Sequence, residues 1–408
     1  MSQTEPMYRR VSSMEPLLPG AGCGALAELS AEVFKKAGEL KRALPAASAR
    51  QEVAKLVREM NSYYSNLIEG HKTLPRDIEK ALRQDFSEQP EAKRNQQLSV
   101  AHIKTEQTMR ELLAAQAEID VYSSDFVCWL HHEFYRHMPQ TEWFTTSQTG
   151  QRYALLPGAL RDYNVDVGRH TPPAHDCLGR FLERFHAFYG SGRILATERL
   201  VAIAAAHHRL AWIHPFGDGN GRVARLQSQA ALIRAGVDGD GLWTLSRGLA
   251  RAKPVYFRLL EAADRQRADD YDGRGNLSDK ALAEFCGFFL RGMLDQIEFM
   301  IGLISPFALR ARIDHYLRFV RTDLDGRLRG HLGKLLGRLC VDGALPRGAV
   351  AGILGLKDTA SRDVIRKALA QGLVSSSSAK GALRIAFPEE VRECYFPQLF
   401  TDLPVDGT

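Results

Sequence analysis

His214-Pro215-Phe216-Gly217-Asp218-Gly219-Asn220-Gly221-Arg222-Val223-Ala224-Arg225 is the stretch that decides the fold. It combines a titratable imidazole, a carboxylate, a glycine-rich turn and two guanidiniums. The apolar run Leu195 to Trp212 leads into it as a helix, and a helical pattern from Asn220 to Ala235 follows. Pro215 biases His214 away from helical geometry, and the pKa range of an imidazole suits proton abstraction from a hydroxyl. Phe216 reads as a core anchor for the turn. Gly217 to Gly221 cannot be regular structure, because glycines permit positive φ and let backbone N–H groups converge. A helix beginning near Asn220 offers its orphan N–H groups and positive dipole end to phosphate. Asp218 is the only carboxylate in the turn, and magnesium accompanying a nucleotide needs about one or two. Arg222 and Arg225 lie a turn apart, so both can face the same phosphates.

A lone His-Pro turn, or any Gly/Asp loop, is most often an ordinary surface loop. The run as a whole resembles the signature of the Fic family, HPFx(D/E)GNGRxxR, and meets it at every specified position. Ala206-His207 and Ile213 look like the family's lead-in helix, with His207 read as a structural histidine. Gly158-Ala159-Leu160-Arg161 with Val165, Gly168 and Pro172-Pro173 looks like the family's flap hairpin, with Leu160 in place of the common aromatic. Arg152 to Leu156 and Tyr163 to Val167 are expected to be the hairpin's strands. Upstream, Ser65-Asn66-Leu67-Ile68-Glu69-Gly70 resembles the family's inhibitory motif, (S/T)xxxE(G/N).

The resemblance implies a protein adenylyltransferase: AMP moves from ATP, with Mg²⁺, to a Tyr, Thr or Ser hydroxyl of a target protein, which can be the chain itself. His214 is the implied base and Asp218 the metal ligand. Gly219, Asn220, Gly221, Arg222 and Arg225 hold phosphates, and Arg225 reaches the γ-phosphate. Tyr256 resembles a position that flanks adenine in relatives, with a core tyrosine as the alternative. Glu69, helped by Ser65, is the implied brake, pairing with Arg225 where the γ-phosphate belongs. Self-association into a homodimer is common among inhibited relatives. Two alternatives stay open: a DNA-binding regulator with a nucleotide-sensing Fic domain, and a Fic enzyme that uses another nucleotide or removes AMP.

Physical chemistry bears on the brake. Val53, Leu56, Val57, Met60, Tyr63, Tyr64, Leu67 and Ile68 make one apolar helical face, and Gly70 stops the helix. Glu69 sits at the negative end of the helix dipole, which disfavours an acid by about 0.5 kcal/mol and favours a cationic partner. Ser65 and Glu69 share a face, opposite the apolar stripe.

The remaining chain is ordinary for a globular protein. Its 408 residues are 45% hydrophobic and 25% charged, with net charge +6. That length predicts about two or three domains. Cys23, Cys128, Cys177, Cys286, Cys340 and Cys394 lie far apart without a CxxC pair, which suggests neither a zinc site nor a disulfide framework. Met1 to Gly20 lacks the apolar core of a signal peptide. Arg291, Asp295 and Glu298 interrupt the apolar stretch Gly287 to Leu309, so it reads as a buried helix and not a membrane span. A cytoplasmic protein without membrane attachment is expected.

The expected fold is mainly α: a Fic helical core with a β-hairpin flap, plus a C-terminal winged helix-turn-helix. The boundaries read as an N-terminal arm (1–30), a helical region (31–118) containing the inhibitory helix (48–70), the Fic catalytic core (119–305) and the winged helix (306–408). In the last unit Ile365 and Leu369 are expected to face inward, with Ser361, Arg362 and Arg366 outward and Lys380 at the wing tip. This unit has 16 Lys and Arg against 11 Asp and Glu. The excess is small, so DNA binding and protein docking both remain open.

Overall fold

The computed structural model describes residues 8–44, 46–146 and 150–401. The N-terminal helices are α1 (Cys23–Ala43), α2 (Ala47–Ile68), α3 (Pro75–Leu82) and α4 (Pro90–Ala115). The central ones are α5 (Ser124–Tyr135), α6 (Leu178–Tyr189), α7 (Arg199–Ile213), α8 (Asn220–Arg234), α9 (Leu245–Arg251), α10 (Lys253–Asp264) and α11 (Asp279–Ile304). The C-terminal ones are α12 (Pro306–His315), α13 (Gly326–Asp342), α14 (Ala349–Leu354), α15 (Asp358–Ala370) and α16 (Glu389–Tyr395).

Two helices organise the core. α11 buries Leu282, Phe285, Phe289, Met293 and Ile297, with α1, α7, α9 and α10 packed around it. Its charged residues Arg291, Asp295 and Glu298 are exposed, so the apolar stretch is a core face. α7 is buried nearly all round, as its uniformly apolar sequence requires. It delivers the signature loop to the centre of the molecule, and α8 packs back against it. Among the described residues no single helix is long and apolar enough to cross a membrane.

The arm is docked. Met14 and Leu17 are buried, and the Arg209 guanidinium on α7 donates two bonds to the Pro16 carbonyl at 3.0 and 2.8 Å. The first long helix begins at Cys23, inside the stretch read as arm. Residues 1–7 of that stretch lie outside the described residues.

The flap differs from the expected hairpin. Its strands are β1 (Phe144–Thr146) and β2 (Arg152–Ala154), antiparallel with Thr145 opposite Tyr153. Tyr163 to Val167 forms no strand with them; only an isolated bridge joins Val167 to His170. Side chains make the connection instead, because Tyr163 stacks on Tyr153 at 3.8 Å between centroids. Arg161 supplies what a ladder would otherwise supply. Its guanidinium donates to the carbonyls of His214 (2.9 Å), Tyr163 (2.8 Å) and Pro173 (2.6 Å).

α2 also departs from its helical wheel. Its polar side is buried, since Asn61, Ser62, Ser65 and Asn66 are all covered. The Asn61 amide donates to Glu106 on α4 at 2.6 Å, and the Ser62 hydroxyl donates to the Ser99 carbonyl at 2.9 Å. Polar groups that are hydrogen-bonded pack inside a protein as apolar ones do, though the buried Asn66 amide finds no partner among the described residues.

The C-terminal unit joins α12 to α16 with a three-stranded antiparallel sheet of order β3 (Ala344–Leu345), β5 (Leu383–Ile385), β4 (Val374–Ser375). Ile365 is buried, Arg362 and Arg366 are exposed, and Lys380 lies exposed in the turn between β4 and β5. Ser361 is buried, contrary to expectation: its hydroxyl turns back to the Asp358 carbonyl at 2.9 Å in the first turn of α15. The unit packs on α2. Arg392 on α16 pairs with Glu59 at 2.9 Å, and the Tyr64 hydroxyl bonds the Leu399 and Thr401 carbonyls at 3.2 and 2.9 Å.

Candidate active site

The loop between α7 and α8 is held from within and from below. α7 ends where His214 adopts a left-handed conformation (φ 49°, ψ 61°), outside the right-handed helical region that the following Pro215 disfavours. The Asn220 side chain closes the turn, accepting from the Phe216 N–H at 2.9 Å and donating to the Phe216 carbonyl at 2.8 Å. Phe216 is fully buried and stacks on His131 of α5 at 4.0 Å. Gly219 has φ 81°, and a Cβ there would lie 2.9 Å from the Tyr135 ring, so both conformation and space demand glycine.

α8 starts at Asn220 with no side-chain cap, leaving its N-terminus open toward the cleft. Arg222 is buried, and among the described residues its Nε and Nη1 have no hydrogen-bond partner. Two orphaned buried donors beside a helix N-terminus are what a phosphate would satisfy. Asp218 accepts from the Tyr135 hydroxyl at 2.7 Å and lies 3.3 Å from Arg222. Burial alone would raise its pKa, but Arg222, Tyr135 and the Gly219 N–H outweigh that and hold it below the usual carboxylate range. Burial, reinforced by Asp218, pushes the Tyr135 phenol well up, so it keeps its proton and donates.

Arg225, one turn further along α8, faces α2. Its Nε donates to the Ser65 hydroxyl at 2.9 Å, and its Nη2 to the Ser65 carbonyl at 2.9 Å and to Glu69 Oε1 at 2.6 Å. Glu69 lies against Gly221, where any side chain would collide with the carboxylate. Burial opposes the Glu69 charge, yet Arg225 and Arg222 keep its pKa below the ordinary value. The carboxylate therefore sits at the open N-terminus of α8, the place that favours an anion.

His214 lines two cavities. One, of about 350 Å³, runs from Glu69, Gly221 and Arg225 past His214 to Phe257 and Leu260. The other, also about 350 Å³, lies under the flap among Thr145, Tyr153, Tyr163 and Val165. Burial, with Arg161 and His170 nearby, lowers the His214 pKa to about 4, so the ring is neutral near pH 7. Tyr256 lines the first cavity, while its hydroxyl bonds His207 Nε2 at 2.8 Å; His207 Nδ1 meets Ser228 at 2.9 Å. His207 is thus a satisfied core histidine.

Of the expected residues, His214, Asn220, Gly221, Arg225, Glu69 and Tyr256 line the first cavity and Ser65 meets it through Arg225, while Asp218, Gly219 and Arg222 lie outside its lining. Arg161 carries more than the flap motif suggested, and Tyr135 was missed. The available signal was two polar rings, His131 and Tyr135, a turn apart on the buried face of α5. Among the described residues no three His, Cys, Asp or Glu side chains cluster to hold a metal. Asp218 is the one carboxylate within the loop itself, a donor set that would fit magnesium arriving on a nucleotide and not a dedicated metal cage.

Part of the chain is similar to known proteins. Residues 121–232 match the Fic/DOC family. The chain is 40% identical over 79 residues to "Protein adenylyltransferase Fic" of Drosophila erecta, covering 19% of this chain and 16% of that protein. It is 38% identical over 87 residues to the Nematostella vectensis protein of the same name, covering 21% and 20%. The chain thus spans about a fifth or less of the length of these curated relatives. A Fic family protein from Desulfovibrio desulfuricans shares the fold over 89% of this chain and 96% of its own, at TM-score 0.51 and 17% identity. Fic-1 from C. elegans does so over 68% and 71%, at TM-score 0.50 and 17% identity. The chain carries a Fic/DOC family domain on a mainly helical fold.

Proposed function

We propose that this chain transfers AMP from ATP to a Tyr, Thr or Ser hydroxyl of a protein and that Glu69 restrains it. The observation that carries the reading is the position of His214 on the shared wall of two cavities. One ends in phosphate-seeking groups. The other lies under a short flap whose strand β1 offers backbone to an extended peptide.

The residues then divide the work. The neutral His214 ring takes the proton from the target hydroxyl. The hydroxyl oxygen forms a bond to the α-phosphorus as the bond to the β-phosphate oxygen breaks, and pyrophosphate leaves. The N–H groups at Gly219, Asn220 and Gly221, with Arg222, hold the phosphates, and Arg225 receives the γ-phosphate. Asp218 would hold a magnesium ion, which supplies neutralisation of the phosphate charge when bound. Positioning and electrostatics carry such chemistry. Tyr256 lines the nucleoside end. With Glu69 on Arg225, the γ-phosphate has no place, and the α-phosphate is not presented to His214.

Incubating the Glu69→Gly protein with mixed nucleotides and protein targets, followed by mass spectrometry, tests this. An AMP adduct on a hydroxyl, absent from the Glu69→Gly/His214→Ala protein, supports it. A different transferred group, or equal labelling by wild type and Glu69→Gly, overturns the stated chemistry or the brake.

The C-terminal unit is read as a docking module. Asp363 on α15 pairs with both Arg366 (2.5 Å) and Lys367 (3.0 Å), which offsets part of the positive charge that this helix could offer to DNA phosphates. A gel-shift with short duplex DNA at low salt separates the two roles; a retarded band would favour the regulator reading.

A further inference from the structure

The side of α5 that carries His131 and Tyr135 forms the floor of the signature loop. His131 Nδ1 accepts from the Gly158 N–H at 2.8 Å, so it joins the floor to the flap. Tyr135, one turn later, is 3% exposed, and its hydroxyl donates to Asp218 Oδ2 at 2.7 Å. Gly219 closes on the same ring. Tyr135 thus supports the loop with its ring and holds one carboxylate oxygen with its hydroxyl.

The hydroxyl matters because of what stands opposite. Arg222 Nη2 is 3.5 Å from Asp218 Oδ1 and 3.3 Å from Oδ2, an ion pair that is long for a charge-assisted hydrogen bond, and Tyr135 interacts with Arg222 as well as with Asp218. Asp218 and Arg222 are four residues apart across the start of a helix, a spacing that allows a close ion pair. Such a pair would tie up two groups at once: a carboxylate meant for a cation and a guanidinium meant for phosphate.

We infer that Tyr135 is a positioning residue that holds Asp218 away from Arg222, keeping the carboxylate free for a divalent cation and the guanidinium free for phosphate. The inference rests on the nucleotide-transfer reading and adds a part to that site. Groups that orient a metal-binding carboxylate typically change metal affinity by about 10- to 100-fold.

The test uses Tyr135→Phe, which keeps the ring against Gly219 and removes the hydroxyl. ATP binding is measured by calorimetry in the full chain carrying Glu69→Gly and His214→Ala, with and without Mg²⁺, so no turnover is involved. The gain in ATP affinity on adding Mg²⁺ should shrink about tenfold in the Phe protein. In a protein that also carries Asp218→Asn, Tyr135→Phe should change nothing further. In the active Glu69→Gly protein, raising Mg²⁺ should restore the transfer rate of Tyr135→Phe. An unchanged Mg²⁺-dependent gain overturns the inference. So does an equal loss of ATP affinity with and without Mg²⁺, or a further loss in the Asp218→Asn protein, since each describes packing alone. If the Tyr135 parent binds no ATP with Mg²⁺, the nucleotide-transfer reading fails and this inference falls with it.

Discussion

Glu69 Oε1 accepts a hydrogen bond from Arg225 Nη2 at 2.6 Å across 156 residues of sequence. The pair lies at one end of a cavity that His214 lines. Ser65 adds two contacts to the same guanidinium, so α2 holds Arg225 at three points. In the proposed mechanism Arg225 therefore has two competing partners, the end of α2 and a γ-phosphate.

Weakening that hold should raise activity. A hydrogen bond between charged groups is worth about 1.5–3 kcal/mol, or about 10- to 100-fold in an equilibrium. Glu69→Gly should raise AMP incorporation by about that factor. Ser65→Ala removes one bond to the cation and leaves Glu69, so a smaller rise is expected. Initial rates of labelled ATP incorporation measure both. A Ser65→Ala effect larger than that of Glu69→Gly would contradict the ranking.

The grip of the C-terminal unit on α2 should matter to both stability and activity. Arg392 and Glu59 are only 12% and 13% exposed, so Arg392→Ala strands a carboxylate. Breaking a buried pair in this way costs about 3–5 kcal/mol, and the partial exposure places the expectation at the lower end. Urea unfolding measures the loss. Because Tyr64 precedes Ser65 in the helix, Tyr64→Phe should loosen the segment that presents Ser65. AMP transfer should rise where Glu69 is present and stay unchanged in the Glu69→Gly protein.

The pH profile of transfer should reflect a base that is already neutral. With the His214 pKa at about 4, the proton-accepting form is populated throughout the neutral range. The rate should be flat across neutral pH and fall as pH drops toward that value. An inflection near the ordinary histidine value of about 6.5 would contradict the assignment. His214→Ala should remove activity at every pH.

Stability should fall in mild acid for a related reason. Burial first, then nearby cations, lowers His214 and His207 to about 4 and about 3; burial likewise lowers His102 and His131 to about 4. Below about 6.5 the unfolded chain binds protons at these rings while the folded chain does not. Unfolding is then favoured as pH falls from about 6.5 toward the folded values, and stability rises with pH across that window. Urea midpoints at successive pH values measure it. A midpoint independent of pH through this window would show that the rings are not buried as neutral groups.

Much of the architecture was legible in the chain. The apolar period of α2, the all-round hydrophobicity of α7 and the glycine stop at Gly70 are local signals, and local signals survive without the fold. The flap was not legible. Strands of three residues have too few positions for alternation to show, and Arg161 replaces a ladder with side-chain hydrogen bonds. Ser361 was misplaced because its hydroxyl found a partner inside its own helix. A wheel marks Ser as polar without saying what satisfies it.

By itself, the sequence determined the signature loop, its flanking helices and the residue types able to handle a nucleotide. Their spacing is local, and short-range geometry follows from it. The pairing of Glu69 with Arg225 was implied by the family resemblance and is present in the fold. Only the tertiary structure decided that Ser65 holds Arg225 through both its hydroxyl and its carbonyl, that Tyr135 holds Asp218, and that His214 separates two cavities. Each of these depends on helices distant in the chain packing at one angle and register. That packing is set by the burial of α7, α8 and α11 together, which no single segment encodes.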